Sequence, residues 1–383
     1  MKILYYSPSS HGGIAEYAHE QANALVDLGA EVTLLCTPKY PAGRGEKYHL
    51  LPVLTEPNTD NLVKNKALKI FHIIKTMLSN SFRLADFIEK NDFKHVLFGT
   101  YTEYMAPLWA WRLRQLAKKG IVFGAIIHDP VRDFVVGPLW WHRWSIAEGY
   151  SFLREAFVHE PIKLDTVRPM PGLHTTVIPH GLYQYRRPLR SREEIRRALD
   201  IPQDAKVMLS FGHIHPHRKN IGLIIHAMEH FPELYLIVAG NDTSSSQNVS
   251  ASYKDMANKL NVAGRCRWDI RFIPDENTGD LFEAADIMML IYKSSFRSAS
   301  GVLNLAAAYR KPCIASSGNG NLKTSVIKYG LGVWVEADSA DSLTAGIKKY
   351  LEAPPKPSWE KYLAENSWGT NAELVINRME TAL

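Results

Sequence analysis

Between Ile287 and Ser316 the chain reads IMMLIY, KSSFRSASG, VLNLAAAY and RKPCIAS in succession, and few folds accept that order. Ile287 to Tyr292 is an unbroken apolar run of strand length, Ser300-Gly301 opens a helix over Val302 to Tyr309, and Pro312 to Ser316 supplies a second short buried strand. Strand, turn, helix and strand in this order form the repeating unit of a parallel sheet covered by helices. The turn also carries chemistry. The first amides of a helix have no partner within it, the helix dipole favours negative charge there, and glycine lets a phosphate approach the backbone. The stretch is therefore either an anion site or an ordinary serine-capped helix.

Two other stretches repeat the arrangement. Val207 to Gly212 (VMLSFG) is a buried strand ending in glycine, followed by HIHPHRKN and a helix from Ile221 to His230. Lys2 to Ser7 (KILYYS) leads into a helix with Gly12-Gly13 at its mouth. With HGGI (11–14), IIHDP (126–130), VIPHG (177–181), FGHIHPHRKN (211–220), AADIMMLIY (284–292), SGVLNLA (300–306) and KPCIAS (311–316), the chain resembles the family 4 glycosyltransferases. The pieces come in that family's order and span most of the chain. The resemblance implies the GT-B fold, with two Rossmann-like α/β domains facing each other across a cleft and a C-terminal helix crossing back to the N-terminal domain. Residues 1–182 and about 366–383 would form the acceptor domain, and 183–365 the nucleotide-sugar domain.

Size agrees with that division, since 383 residues exceed one ordinary core and suit two domains. A hydrophobic share of 46% with 22% charged residues excludes the disordered and membrane-spanning classes, and no apolar run approaches the ~20 residues of a membrane span. The net charge of +6 suits a phosphorylated ligand or an anionic membrane surface. Nucleic acid is not expected, because no binding module accompanies the charge. Cys36, Cys266 and Cys313 are far apart with no CxxC pair, which fits buried free thiols in a reducing compartment. MKILYYSPSS reads as a first strand rather than a signal peptide. A cytoplasmic location is expected, with the inner face of the membrane as a peripheral station.

Along the first half, strands are expected at Lys2–Ser7, Glu31–Cys36, His95–Gly99, Val122–His128, Ala156–His159 and Thr175–Ile178, with a helix from about Ala15 to Leu28 ended by Gly29. In 61–90, Leu68, Phe71, Ile74 and Leu78 recur at helical spacing beside Lys64, Lys66, Lys69 and Lys75. That helix either lies on anionic lipid or turns its apolar stripe to the core and its lysines to water. Trp140, Trp141 and Trp144, with His142 and Arg143, either line a carbohydrate or lipid-linked acceptor, anchor at a membrane interface, or fill a core. Tyr183 to Ala198 reads as the connection and a basic, solvated first helix. Second-half strands are expected at Val207–Phe211, Tyr235–Ala239, Cys266–Ile273, Ile287–Tyr292, Pro312–Ala315 and Gly332–Glu336, and the tail from Trp359 to Leu383 is helical.

A sugar-nucleotide donor leaves as a diphosphate, so its site must stabilise growing negative charge with amides and a cation. Lys219, seven positions past a strand-end glycine and at the start of a helix, is the first choice for the cation, with Arg218 competing. Gly212, His213, Ser300, Gly301 and Val302 complete the donor set in the second half, and Gly12 and Gly13 add to it in the first. The resemblance places His128 against the donor sugar, Asp129 as its orienting partner or a turn cap, and His180-Gly181 at the hinge, His180 standing where many members have Asn. Many members also carry two glutamates eight positions apart near the 294–316 turn, the second holding the ribose. This chain has Arg297 or Ser298 and Leu305 or Ala306 there, with no carboxylate between Asp286 and Glu336, so Glu336 or another distant carboxylate would have to substitute, and nothing in the spacing picks one. His213, His215 and His217 alternate in a loop without acidic or Cys neighbours, and there is no Asp-x-Asp motif, so no metal and no other cofactor is expected.

These readings lead to a retaining, metal-independent glycosyltransferase acting on a nucleotide-sugar donor and a glycan, glycolipid or small-molecule hydroxyl acceptor. Retention is implied by the resemblance alone. The missing acidic pair keeps a second reading open, a scaffold of the same fold that binds nucleotide sugars without catalysing transfer.

Overall fold

The computed structural model describes residues 1–10, 12–56, 66–128, 130, 135–182, 186–242, 249–297 and 300–382, except for the side chains of residues 66, 67, 69, 70 and 275. The chain divides into two compact units, Met1–Gly181 with Ser367–Leu383, and Leu182–Asn366.

The first unit runs β1 Lys2–Tyr6, α1 Gly12–Asp27, β2 Glu31–Leu35, β3 His49–Leu51, α2 Lys66–Lys90, β4 His95–Phe98, α3 Ala106–Lys118, β5 Val122–Ile127, α4 Leu139–Gly149, β6 Glu155–Val158 and β7 His174–Val177. Among the described residues these strands form one parallel sheet in the order β3-β2-β1-β4-β5-β6-β7. Parallel strands are covered on both faces, which is why VFGAII is apolar throughout and HVLF apolar but for His95, and both are wholly buried. β3 is a three-residue edge strand, too short for its pattern to show in sequence.

The second unit runs α5 Arg192–Ala198, β8 Lys206–Phe211, α6 Ile221–Ala227, β9 Leu234–Ala239, α7 Val249–Lys259, β10 Cys266–Asp269, α8 Asp275–Ala284, β11 Ile287–Ile291, α9 Gly301–Ala308, β12 Cys313–Ser316, α10 Asn321–Lys328, β13 Gly332–Trp334, α11 Ala340–Glu352 and α12 Trp359–Glu365. Its described strands pair in parallel in the order β10-β9-β8-β11-β12-β13. The expected strand Cys266–Ile273 stops at Asp269, because it pairs only with β9 and Asp269 lies opposite Ala239, where β9 ends. The expected solvated helix is half wrong as well. Arg196 of α5 is fully buried, its guanidinium donating to the carbonyls of Ala284, Gln203 and Ala205 and to Asp286. The tail is helical as expected, in two pieces, and Ser367 caps the second, α13 Trp368–Thr381, through the Thr370 amide.

α13 belongs to the first unit. It packs beside α1, and Leu25, Ala22, Val375 and Met379 share a core with Ile3, Tyr5, Ile126 and Phe157 on one sheet face. α2, α3 and α4 cover the other face, where Leu84, Ile88, Trp109, Leu113 and Ile146 meet Val96, Phe98, Phe123 and Ala125. Among the described residues of α2, those packed on the core lie from Met77 onward. Leu68 and Phe71, expected on its apolar stripe, are exposed, whereas Ile74 and Leu78 are half-buried. Lys64 lies outside the described residues, as do the side chains of Lys66 and Lys69.

Candidate functional site

In the second unit the turn after β8 determines the site. Gly212 has φ +88°, a left-handed backbone that favours glycine. Residues 213–220 then fold back along β11: the amides of Arg218 and Lys219 donate to the His215 carbonyl (3.0 and 2.9 Å), Asn220 N–H to Ile291 O (2.9 Å) and Lys293 N–H to Arg218 O (2.9 Å). This pinning leaves the Lys219 side chain above the turn, its ammonium donating to the Phe211 carbonyl. A methyl group added at Gly212 would stand 3.6 Å from both Lys219 Nζ and Val302 Cγ2. Gly212, Lys219 and the first turn of α9 are therefore gathered at one point.

Ser300 caps α9, its hydroxyl accepting from the Leu303 amide (3.3 Å) and lying 3.1 Å from the Tyr292 hydroxyl. The amides of Gly301 and Val302, at the first helical positions, have no acceptor within the helix. Loss of hydration lowers the Lys219 pKa to about 7. An anion at this point restores the charge, so diphosphate binding and protonation of Lys219 reinforce each other.

The carboxylate tied to this edge is Asp338, two residues beyond Glu336. It accepts from Asn220 Nδ2 (2.7 Å) and from the Ser294 amide (2.9 Å). Partial burial opposes its ionisation, but those bonds outweigh it and hold the carboxyl below its usual range. Leu305 is half-buried and Ala306 fully buried within the core, and Ser298 lies outside the described residues. His213, His217 and Arg218 are exposed on the loop, with the His215 and His217 rings 5.9 Å apart. Among the described residues no three His, Cys, Asp or Glu side chains gather as a metal site.

In the first unit the residues of interest stand at the same end of the strands. Gly12 opens α1 with φ +74° and Gly13 follows in the helix. His128 follows β5 and His159 follows β6; because Ile127 pairs with Val158, the two imidazoles are neighbours. His128 Nε2 lies 3.0 Å from Gly99 O, His159 Nδ1 lies 3.3 Å from Ile178 O, and the remaining nitrogens are 3.4 Å apart. The contact between the two rings is the longest of the three.

Tyr17 from α1 places its ring against His128 (4.7 Å), His180 (5.4 Å) and Trp368 (4.9 Å). Burial, then repulsion from His128, lowers the His180 pKa to about 4. Burial, then repulsion from His180 and His128, holds His159 well below the ordinary imidazole value. Gly181 has φ +84°, and a methyl group there would meet Trp368 Cε2 at 2.4 Å. Asn371 fixes this segment, donating to Pro179 O (2.7 Å) and to the Tyr17 hydroxyl (2.9 Å). Asp129 lies outside the described residues.

Sequence reasoning missed His159 and Asp338. The first was within reach, since adjacent parallel strands ending in Ile-His and Val-His bring their histidines together. Asp338 gave no signal, for its role depends on a loop whose left-handed residue (φ 61°) is an aspartate.

Two family models match the chain, "Glycosyltransferase Family 4" over residues 11–182 and "Glycosyl transferases group 1" over 191–368. No curated protein matches it. Solved structures of similar fold include the Anabaena protein Alr3699/HepE in complex with UDP, 14% identical, covering 100% of both chains with a TM-score of 0.69. Sucrose-phosphate synthase (tll1590) from Thermosynechococcus elongatus is 17% identical, covering 100% of this chain and 94% of its own, with a TM-score of 0.63. WaaG, a glycosyltransferase involved in lipopolysaccharide biosynthesis, is 15% identical, covering 100% and 98%, with a TM-score of 0.59.

Proposed function

The chain belongs to the family 4 glycosyltransferases, with the GT-B fold, and from that membership we propose that it moves a sugar from a UDP- or GDP-sugar to a hydroxyl of a glycan, glycolipid or small-molecule acceptor, with retention at the anomeric carbon and without a metal. One observation carries the reading: the Lys219 ammonium, Gly212 and the opening turn of α9 meet at one strand edge. Breaking the anomeric C–O bond puts charge on the diphosphate, and a cation with two aligned amides is what that leaving group requires. Lys219 neutralises the charge, Gly301 and Val302 donate to it, and Asp338 holds the Lys219 loop in place. In a front-face transfer the leaving phosphate oxygen takes the acceptor proton, so no separate base is needed. Gly12 and Gly13 are offered as further amide donors. His128, which follows β5, meets the donor sugar.

The similar structure that holds UDP supports a nucleotide-sugar donor. The three free cysteines are buried, which suits a reducing compartment, and we place the activity in the cytoplasm. Among the described residues no helix is long and apolar enough to cross a membrane.

The test is isothermal titration with UDP- and GDP-sugars, followed by transfer assays with the best donor, with and without EDTA, and anomer assignment by NMR. We expect micromolar donor binding, EDTA-insensitive turnover and an α-product from an α-donor. Inversion, or dependence on a divalent ion, overturns those parts of the proposal. Leu305 and Ala306 at the carboxylate-free turn favour a second reading, a nucleotide-sugar binding protein; tight binding without hydrolysis or transfer to any hydroxyl would establish it.

A further inference from the structure

The two helical layers of the first unit differ sharply on their outer surfaces. Among the described residues, α1 and α13 expose no large apolar side chain. α2, α3 and α4 together expose Phe71, Trp111, Trp140 and Trp144 along with Leu68, Ile73, Leu108 and Leu139, Phe71 at 61% and Trp140 at 64%. The three helices share one sheet face and adjoin through α3. Trp140 and Trp144 stack at 6.5 Å, with Trp141 edge-on to both, so the rings stand outward as a preformed ridge.

Charge is equally one-sided. Lys75 lies one turn past Phe71, and Arg143 lies between the exposed tryptophans; both are exposed. The acidic residues of these helices are already engaged, Asp86 and Glu89 with Arg112, and Glu148 with Arg114 and Arg168.

We propose that the α2–α3–α4 face docks on a bilayer surface bearing anionic lipid, with Phe71, Trp140 and Trp144 entering the interfacial layer and Lys75 and Arg143 meeting lipid phosphates. Apolar rings interleaved with unopposed cations complement such a surface. A second copy of the chain is a poor occupant, since a two-fold interface would set this cation-bearing face against an identical one. The face extends the proposed function by naming where a membrane-borne acceptor would be met, and it rests on that reading only for its purpose.

The test is flotation of the full chain with vesicles of phosphatidylcholine alone and of phosphatidylcholine with phosphatidylglycerol. No donor is present, so the result is independent of whether transfer occurs, and transfer to a soluble acceptor is measured separately. The protein is expected to float with the anionic vesicles at low salt, with a blue shift of tryptophan emission. Trp140→Ser/Trp144→Ser should weaken this by ~10-fold or more. Lys75→Glu/Arg143→Glu should remove the preference for anionic vesicles while circular dichroism and Tm stay unchanged. A chain that stays at the bottom with both vesicle types overturns the proposal. So do variants that float like the parent, or a parent that sediments as a dimer the variants lose while binding no vesicle.

Discussion

The two units repeat one architecture and furnish the same sheet edge with opposite chemistry. In the second unit the edge after β8 and β11 gathers a lysine and the open amides of α9, with Asp338 bracing the loop from behind. In the first, the edge after β5 and β6 gathers three imidazoles, a tyrosine and a tryptophan, with burial keeping His159 and His180 neutral. Positive charge that an anion can switch on belongs to one edge. A ring-lined surface on which burial holds His159 and His180 below the ordinary imidazole value belongs to the other. A doubly wound sheet places ligands beyond the carboxyl ends of its strands whatever the ligand is, so side chains at the strand ends alone decide what is bound.

The sharpest way to break this contrast is at Lys219. Lys219→Ala should lower transfer by ~100-fold or more, as for loss of one oxyanion donor. Activity within a few-fold of the parent would remove the ammonium from the chemistry. The same residue makes a second, opposite demand. Its folded pKa of about 7 lies below the unfolded value of 10.5, so above pH 7 the unfolded chain holds a proton that the fold lacks, and stability rises with pH across that window. Lys219→Met should therefore raise the donor-free Tm by a few degrees at pH 7 while abolishing transfer. In the parent, the donor KM should climb as pH rises from 7 to 9, because the free enzyme loses the charge that binds diphosphate. A flat profile would mean that Lys219 stays protonated in the empty site.

Asp338 is the next test, and a smaller one. It touches the Asn220 side chain and the Ser294 amide, so it acts on the phosphate only through the Lys219 loop. Asp338→Asn keeps the size but puts an amide where two acceptor oxygens stood. We expect ~10-fold in kcat/KM, since loosening one supporting bond displaces rather than deletes the cation. The loss should fall on kcat and donor KM together. An unchanged rate would assign Asp338 to folding of the loop alone.

How far the contrast was legible in sequence follows the same division. The second edge is written locally: VMLSFG carries a strand end and its turn glycine, HRKN and SGVLNL each carry a turn and a helix start, and Gly212, Lys219 and Val302 meet in the structure. The first edge is assembled from single residues of β5, β6, α1, α13 and the segment around His180, so no window of sequence contains it. The apolar pattern of α2 left two readings open for a related reason. Phe71 and Leu68 keep the helical period of a buried stripe, but the described α2 residues that pack over the sheet lie from Met77 onward. Arg196 shows the converse, a charge in a basic run drawn into the core because Asp286 and three carbonyls satisfy its donors.

The smallest expected effect tests the neutrality of the imidazole edge. His180 titrates near pH 4 in the fold and near 6.5 when unfolded, so between those values the unfolded chain binds a proton that the fold refuses. Stability of the first unit should fall as pH drops from 6.5 toward 4, by at most about 1.4 kcal/mol per pH unit for this one group. His159, also held below its ordinary value by burial, adds a second proton to the same slope. His180→Asn removes one titrating group and leaves His159, so its Tm should fall less steeply than the parent's between pH 6.5 and 5, by roughly one proton's worth in the linkage slope. If parent and variant run parallel over that range, His180 is protonated in the fold. The first edge then carries positive charge as the second does, and the chemical contrast between the two units is lost.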